Sequence, residues 1–311
     1  MTLRQVLEMS LEDLIKEVYG SPPLKIEPMS FGHTNQVYSV TLSDEQIILR
    51  TNDKPGVLEH TADNIAILSS LGLPVPSVIR TDISMELVPF AYMILEHFPG
   101  RDLRYELEGM THEQMTELAQ QIISYQRSVS ELPRGTGFGW VPIGEQGPFS
   151  SWTQIIDRDI RQHIDHIIDD VTPETIVQLQ QLKQRYTTYF DQVEPICFLD
   201  DLTIKNVIVA EGKLQGVVDF DWVCYGDPLY MIALTQTAVV SDIGEQGMPY
   251  VEALCRHWGV KQEQRALIDF YSVIHALQFI GFHKKEQNDV CKQRMLSFLL
   301  EKINLDTNRT A

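Results

Sequence analysis

Cysteine is scarce in this chain. Four occur in 311 residues, Cys197, Cys224, Cys255 and Cys291, and no two of them share a Cys-x-x-Cys spacing. Neither a thiolate zinc centre nor a disulfide scaffold is therefore expected; the cysteines read as small buried hydrophobes in a reducing compartment. Basic charge is also in short supply, with 25 Lys+Arg against 43 Asp+Glu and a net charge of −18. Nucleic acids and anionic membranes call for a basic face, so neither is an expected partner, while a cationic ligand is permitted. No apolar run approaches the ~18–20 residues of a membrane-spanning helix. The N-terminal stretch carries Glu8, Glu12 and Asp13 within a helical pattern, unlike a secretion signal. A cytoplasmic protein is the expectation, with no internal repeat, no low-complexity tract and nothing that reports the oligomeric state.

What is present is an ordinary globular composition, 43% hydrophobic and 22% charged, long enough for one large domain or two lobes. Apolar residues at helical spacing predict a helix over 2–19, closed by Gly20-Ser21-Pro22-Pro23. Strands are expected over 24–29, 36–42 and 46–50, with a turn at 30–35 between the first two. A helix over 57–71, with Ala62, Ile65, Ala66 and Leu68 as inward candidates, ends at Leu71-Gly72-Leu73-Pro74. A strand follows over 90–98. The remainder reads as helices over 112–131, 151–169, 172–190, 229–240, 248–258, 262–282 and 286–303. The first of these has Met115, Leu118, Ile122, Ile123 and Val129 as its buried stripe. Trp258, Phe270, Tyr271, Phe279 and Phe282 read as core. The acids around His163 and His166 read as a solvated helix face, since a metal site needs more ligands that converge.

The stretch 198–228 carries the chemistry. Two β-branched runs, Val207–Ala210 and Leu214–Val218, flank a Gly-bearing turn and predict a hairpin. A loop at Gly212-Lys213 sets Asn206 opposite Asp219; strands lie about 4.7–4.9 Å apart, so an amide oxygen and a carboxylate there can reach one divalent ion. Mg²⁺ suits such a pair, since it takes a few protein oxygens and completes its octahedron with water and phosphate. Asp201, five residues before Asn206, is placed to accept a proton from an attacking hydroxyl. A base beside two metal ligands describes a phosphoryl-transfer site.

The spacing Asp-x-x-x-x-Asn, followed by a hairpin, Asp-Phe and Gly226-Asp227-Pro228, resembles the aminoglycoside phosphotransferase and choline kinase branch of the protein-kinase-like fold. The resemblance runs from about residue 24 to 304 and is specific in 198–228. It implies an α+β, bilobal fold: a small antiparallel-sheet N-lobe (1–97, nucleotide-binding) and a larger, mainly helical C-lobe (98–311, catalytic and substrate-binding). It further implies ATP or GTP with Mg²⁺, and transfer of the γ-phosphoryl to a hydroxyl of a small acceptor. Asp201 then matches the catalytic base, and Asn206 and Asp219 the Mg²⁺ ligands. Ser30, Gly32 and Thr34 fall in the phosphate-positioning loop, with a single glycine there. Arg50 stands where the strand cation holds the phosphates, and Glu59 or Asp63 is its acidic partner. Backbone groups near Glu96–Phe98 meet adenine, and Asp227 is a helix-capping support tied to the catalytic loop. One departure is plain: the family His falls on Leu199 and its Gly on Asp200. That substitution keeps a second reading open, a pseudokinase that binds nucleotide or a protein partner without transfer. An interaction protein without chemistry is a third. The acidity of the chain favours amines among the acceptors.

Overall fold

The structure is a computed structural model and describes residues 3–29 and 35–308. Ser30, Gly32 and Thr34 lie outside the described residues. The chain divides into two compact units, 1–99 with 220–222, and 100–219 with 223–311. The expected boundary after residue 97 thus falls at Pro99, and the three residues 220–222 go with the first unit.

The first unit is built on a five-stranded antiparallel sheet. Its elements are α1 (Leu3–Tyr19), β1 (Lys25–Met29), β2 (Gln36–Thr41), β3 (Gln46–Asn52), α2 (Pro55–Ser70), β4 (Val78–Asp82) and β5 (Ala91–Glu96), with strand order β1-β2-β3-β5-β4. Leu11, Leu14 and Ile15 of α1 are buried with Val40, Ile47, Leu49, Phe90, Tyr92 and Ile94 in one core; each such side chain contributes about 1.5–3 kcal/mol on burial. α2 buries Leu58, Thr61, Asn64, Ile65 and Leu68. Of the four inward candidates only Ile65 and Leu68 are buried; Ala66 is exposed and Ala62 half-buried. The larger Leu58 defines the stripe at 58, 61, 65 and 68, a 3-4-3 spacing along one helix face.

The second unit is mainly helical. It comprises β6 (Arg101–Asp102), α3 (Leu103–Glu106), α4 (His112–Ser130), β7 (Gly139–Val141), α5 (Trp152–Ile167), α6 (Pro173–Phe190), β8 (Ile196–Phe198), β9 (Val207–Ala210), β10 (Lys213–Val217), β11 (Val223–Gly226), α7 (Leu229–Asp242), α8 (Met248–Trp258), α9 (Gln262–Lys285) and α10 (Asp289–Asn308). Two small sheets, β10-β9-β6 and β7-β11-β8, carry the loops of interest. The buried stripe of α4 is as expected, with Met115, Leu118, Ile122, Ile123 and Val129 inside. Trp152 forms edge-to-face contacts with Tyr230 and Tyr271 at ring separations of 5.3 and 6.3 Å. Gly226 passes so close that a Cβ there would lie 2.1 Å from the Trp152 ring, which accounts for the glycine in Gly226-Asp227-Pro228.

The aromatic residues expected in the core divide. Phe270 and Tyr271 are buried, whereas Phe282 is 40% exposed and Phe279 half-buried. These last two rings flank the Lys205 ammonium at 5.8 and 6.0 Å, a cation–π contact. The acidic face of α5 is likewise less solvated than expected. Asp159 is buried and accepts from Tyr230 Oη at 2.8 Å and Arg158 Nε at 2.8 Å, and Asp157 pairs with Lys183.

Candidate active site

The hairpin of β9 and β10 folds one residue out of the expected register. Ala210 pairs with Lys213, so the loop is Glu211-Gly212, with φ of 52° and 73°. Two successive left-handed residues are what a two-residue hairpin turn of matching twist requires. Lys213 is left as a strand residue. A bulge between Leu214 and Gly216 then shifts the pairing again. Asn206 consequently lies opposite Val218, whose N–H donates to the Asn206 carbonyl at 2.9 Å, and Asp219 follows one residue beyond. Asp219 has φ of 73°, a left-handed conformation that Asp tolerates better than most side chains and that recurs at functional sites.

The loop between β8 and β9 is held largely by its own polar groups. Thr203 Oγ1 donates to Asp201 Oδ1 at 3.1 Å, and Asn206 Nδ2 donates to the Asp201 carbonyl at 2.9 Å. Asn206 N–H reaches Thr203 O at 3.1 Å, and Arg104 N–H reaches Ile204 O at 3.0 Å. Asp201 itself is open to solvent. Its carboxyl is pushed up to about 7, first by the protein crowded around it and then by the charges of Asp200 and Asp219; Thr203 and Asn206 offset part of the rise. Asp200 accepts from Trp140 Nε1. Burial raises its carboxyl to about 6, and Asp219 adds to that effect. Three carboxylates are therefore gathered within electrostatic reach of one another.

This crowding sets a pH dependence of stability. Unfolded Asp titrates near ~3.9, so between about pH 4 and 7 the folded form binds more protons than the unfolded one. Stability accordingly falls as pH rises through that window, and the whole penalty is present above it. Asp201→Asn removes one of the three charges. Because Asp201 is solvent-exposed, the gain is screened to about 1 kcal/mol or less, at most roughly 1–2 °C in Tm for a chain of this length. Melting curves of the ligand-free variant and wild type should separate by that amount at pH 8 and coincide near pH 4; coincidence at pH 8 as well would show that the charges do not interact.

Among the described residues no group of three or more His, Cys, Asp or Glu could hold a metal. Asn206 with Asp219 is a different donor set, one amide oxygen and one carboxylate, as Mg²⁺ takes when phosphate and water fill its other positions. The Asn206 amide N–H is already engaged by the Asp201 carbonyl, and among the described residues its Oδ1 accepts no hydrogen bond. The oxygen is thus the ligand atom the side chain has to offer, and an amide oxygen with a carboxylate is a donor set that suits the ion.

In the first unit, Arg50 does not pair with α2. Its Nη2 donates to Asp221 Oδ2 at 3.0 Å, with both side chains buried. Glu59 and Asp63 are exposed and make no ion pair among the described residues. The helix instead turns Thr61 and Asn64 inward. Thr61 Oγ1 donates to Asp221 Oδ1 at 2.6 Å, and Asn64 Nδ2 donates to Phe220 O at 2.8 Å. Asn35 Nδ2 adds a third donor to Asp221 at 2.6 Å, and Asn52 Nδ2 donates to Asn35 Oδ1 at 2.7 Å. The physical reason is burial: a charged pair in the interior needs its remaining lone pairs satisfied, and the buried stripe of α2 supplies neutral donors there. Asp221, Thr61, Asn64 and Asn35 were not singled out from the sequence.

The segment expected at the adenine, 96–98, begins at the last residue of β5. Glu96 N–H donates to Ser77 O at 3.0 Å, and the Glu96 carboxylate accepts from Ser77 N and Oγ. That takes the Glu96 N–H out of the donors for a base. His97 and Phe98, beyond the strand end, make no backbone hydrogen bond among the described residues. Asp227 caps α7 through the Leu229 N–H at 3.0 Å, but its other oxygen accepts from Tyr189 and Tyr271 hydroxyls at 2.8 and 2.9 Å rather than from the loop between β8 and β9.

Comparison with known proteins decides the family. The model of the phosphotransferase enzyme family matches residues 25–271. The chain belongs to that family. A curated relative, hygromycin-B 4-O-kinase of Escherichia coli, is 21% identical over 231 residues, which is 72% of this chain. The match spans 65% of that relative's length. Among solved structures, a thermostable mutant of aminoglycoside phosphotransferase APH(4)-Ia in ternary complex with AMP-PNP and hygromycin B is 17% identical. It covers 95% of this chain and 98% of its own, with a TM-score of 0.69. The GDP and kanamycin complex of APH(2")-IIia is 14% identical, covers 95% and 98%, and has a TM-score of 0.68. At such identities the likeness establishes the fold: this phosphotransferase family member has the kinase-like α+β architecture, antiparallel sheet first and helices after. No described helix is long and apolar enough to cross a membrane.

Proposed function

We propose that the chain is a small-molecule kinase that moves the γ-phosphoryl of ATP or GTP to a hydroxyl of a small acceptor. The observation that carries the reading is the loop of a phosphotransferase family member in which Asp201 is exposed, oriented by Thr203 and anchored to Asn206. Asp201 accepts the hydroxyl proton as the oxygen attacks phosphorus. Its raised proton affinity brings it closer to that of a useful base at neutral pH. Asn206 and Asp219 are the residues that would hold Mg²⁺. When bound, the ion supplies positive charge against the β- and γ-phosphate oxygens. Arg50, fixed by Asp221, is the cation assigned to the nucleotide phosphates. Positioning and charge neutralisation provide most of the rate, since phosphoryl transfer asks little covalent chemistry of the protein.

The relatives act on or bind hygromycin B and kanamycin, so polyhydroxylated amines head the acceptor panel, followed by amino alcohols and sugars. A coupled ADP- or GDP-release assay with ATP or GTP and Mg²⁺ tests the proposal. Acceptor-dependent release is the expected result, and no release with any acceptor refutes transfer. Leu199 and Asp200, in place of the family His and Gly, support a second reading, nucleotide binding without transfer; a rise in Tm with ATP–Mg²⁺ and no release would be its signature.

A further inference from the structure

We propose that Gln126 is a positioning residue for the catalytic loop, setting the backbone from which Asp201 projects; this rests on the assignment of Asp201 as the base. The inward face of α4 is otherwise apolar, with Met115, Leu118, Ala119, Ile122, Ile123 and Val129. Gln126 alone puts a primary amide into that stripe, and it is fully buried. A buried amide is tolerated only where its hydrogen bonds are made. Both of them go to one residue: Gln126 Oε1 accepts from Leu199 N–H at 3.1 Å, and Gln126 Nε2 donates to Leu199 O at 3.3 Å.

Leu199 follows the last residue of β8 and precedes Asp200 and Asp201. The sheet pairing of β8 with β11 stops at Phe198, so the Leu199 peptide groups have no ladder partner. Its own side chain is apolar and buried and cannot brace the loop. The two-point bond from Gln126 grips the peptides on either side of Leu199, which fixes both of its backbone torsions. Farther along, the loop is braced by Thr203, Asn206 and the Arg104 N–H. Gln126 does the same work where the loop begins, and a displacement of Asp201 by about 1 Å is enough to lower a rate by roughly 10²-fold.

Gln126→Leu keeps the volume and removes both hydrogen bonds. It should lower kcat by about 10–100-fold while KM for the nucleotide stays within twofold of wild type. Amide hydrogen exchange should quicken in the peptide spanning 199–206, with helix α9 unchanged. Gln126→Glu, assayed at pH 6 where burial favours the neutral acid, can still accept from Leu199 N–H and donate to Leu199 O. It should restore most of the kcat that wild type shows at the same pH, and slow exchange. A Gln126→Leu variant with wild-type kcat and wild-type exchange at 199–206 overturns the proposal. So does a loss of kcat that scales only with the folded fraction. If wild type transfers phosphoryl to no acceptor, the kinase reading fails by itself, and the exchange data still decide whether Gln126 holds this loop.

Discussion

Replacing Asp201 with Asn is expected to lower acceptor phosphorylation by about 10²–10⁴-fold, the range a positioned general base contributes, with nucleotide affinity essentially unchanged. The substitution is nearly isosteric. An Asn oxygen at the same place still accepts from Thr203 Oγ1, and the main-chain carbonyl that Asn206 holds is untouched. What disappears is the basic oxygen. Asp219→Ala should fail differently, since it removes the charged ligand of the proposed ion site: turnover is lost and the Mg²⁺-dependent part of nucleotide binding goes with it. Steady-state kinetics with equilibrium nucleotide binding, with and without Mg²⁺, separate the two cases. Wild-type turnover in Asp201→Asn would end its assignment as the base. The same variant is expected to gain stability at pH 8, so activity and stability should move in opposite directions at one residue, as they do where like charges are held together for chemistry.

How much of this was legible depended on the range of the forces involved. The long helices announce themselves because amphipathic spacing is local: α8 occupies the expected 248–258, and α1 and α4 lie within a residue or two of expectation. The three-residue strands β7 and β8 and the four-residue β11 carry no period of their own and exist through pairing with partners 26–30 or 82–86 positions away. The hairpin was foreseen, but its register was not, since a bulge at Gln215 leaves no mark in an alternating apolar pattern. Asp201, Asn206 and Asp219 were read from spacing. Asp221 was passed over because the family pattern offers α2 as the source of an acid for Arg50. The available clue was the polar residue at an apolar position. Thr61 and Asn64 sit in the stripe with Leu58, Ile65 and Leu68, as Gln126 sits in that of α4. Each of these three side chains turns out to hold a loop or segment distant in sequence.

Asp221→Ala is expected to destabilise the first unit by about 3–5 kcal/mol, the usual consequence of removing one member of a buried ion pair. The loss combines several effects. Arg50, itself buried, is left without this counter-charge, and the Thr61 hydroxyl and the Asn35 amide lose the acceptor they reach at 2.6 Å. Asp221→Asn should lose less, because an amide oxygen can still accept from Thr61. Adding Arg50→Met to Asp221→Asn removes the other member of the pair, so a double-mutant cycle reads the coupling between the two residues directly. Urea denaturation followed by a probe in residues 3–96 measures it. A loss below about 1 kcal/mol in Asp221→Ala, the level of an exposed pair, would mean that the network around Asp221 is ornamental and that Arg50 is oriented by something else. The expected result ties stability to function at one position: the acid that keeps the first unit folded also sets the guanidinium assigned to the phosphates, so Asp221→Asn should raise the nucleotide KM even where the protein remains folded.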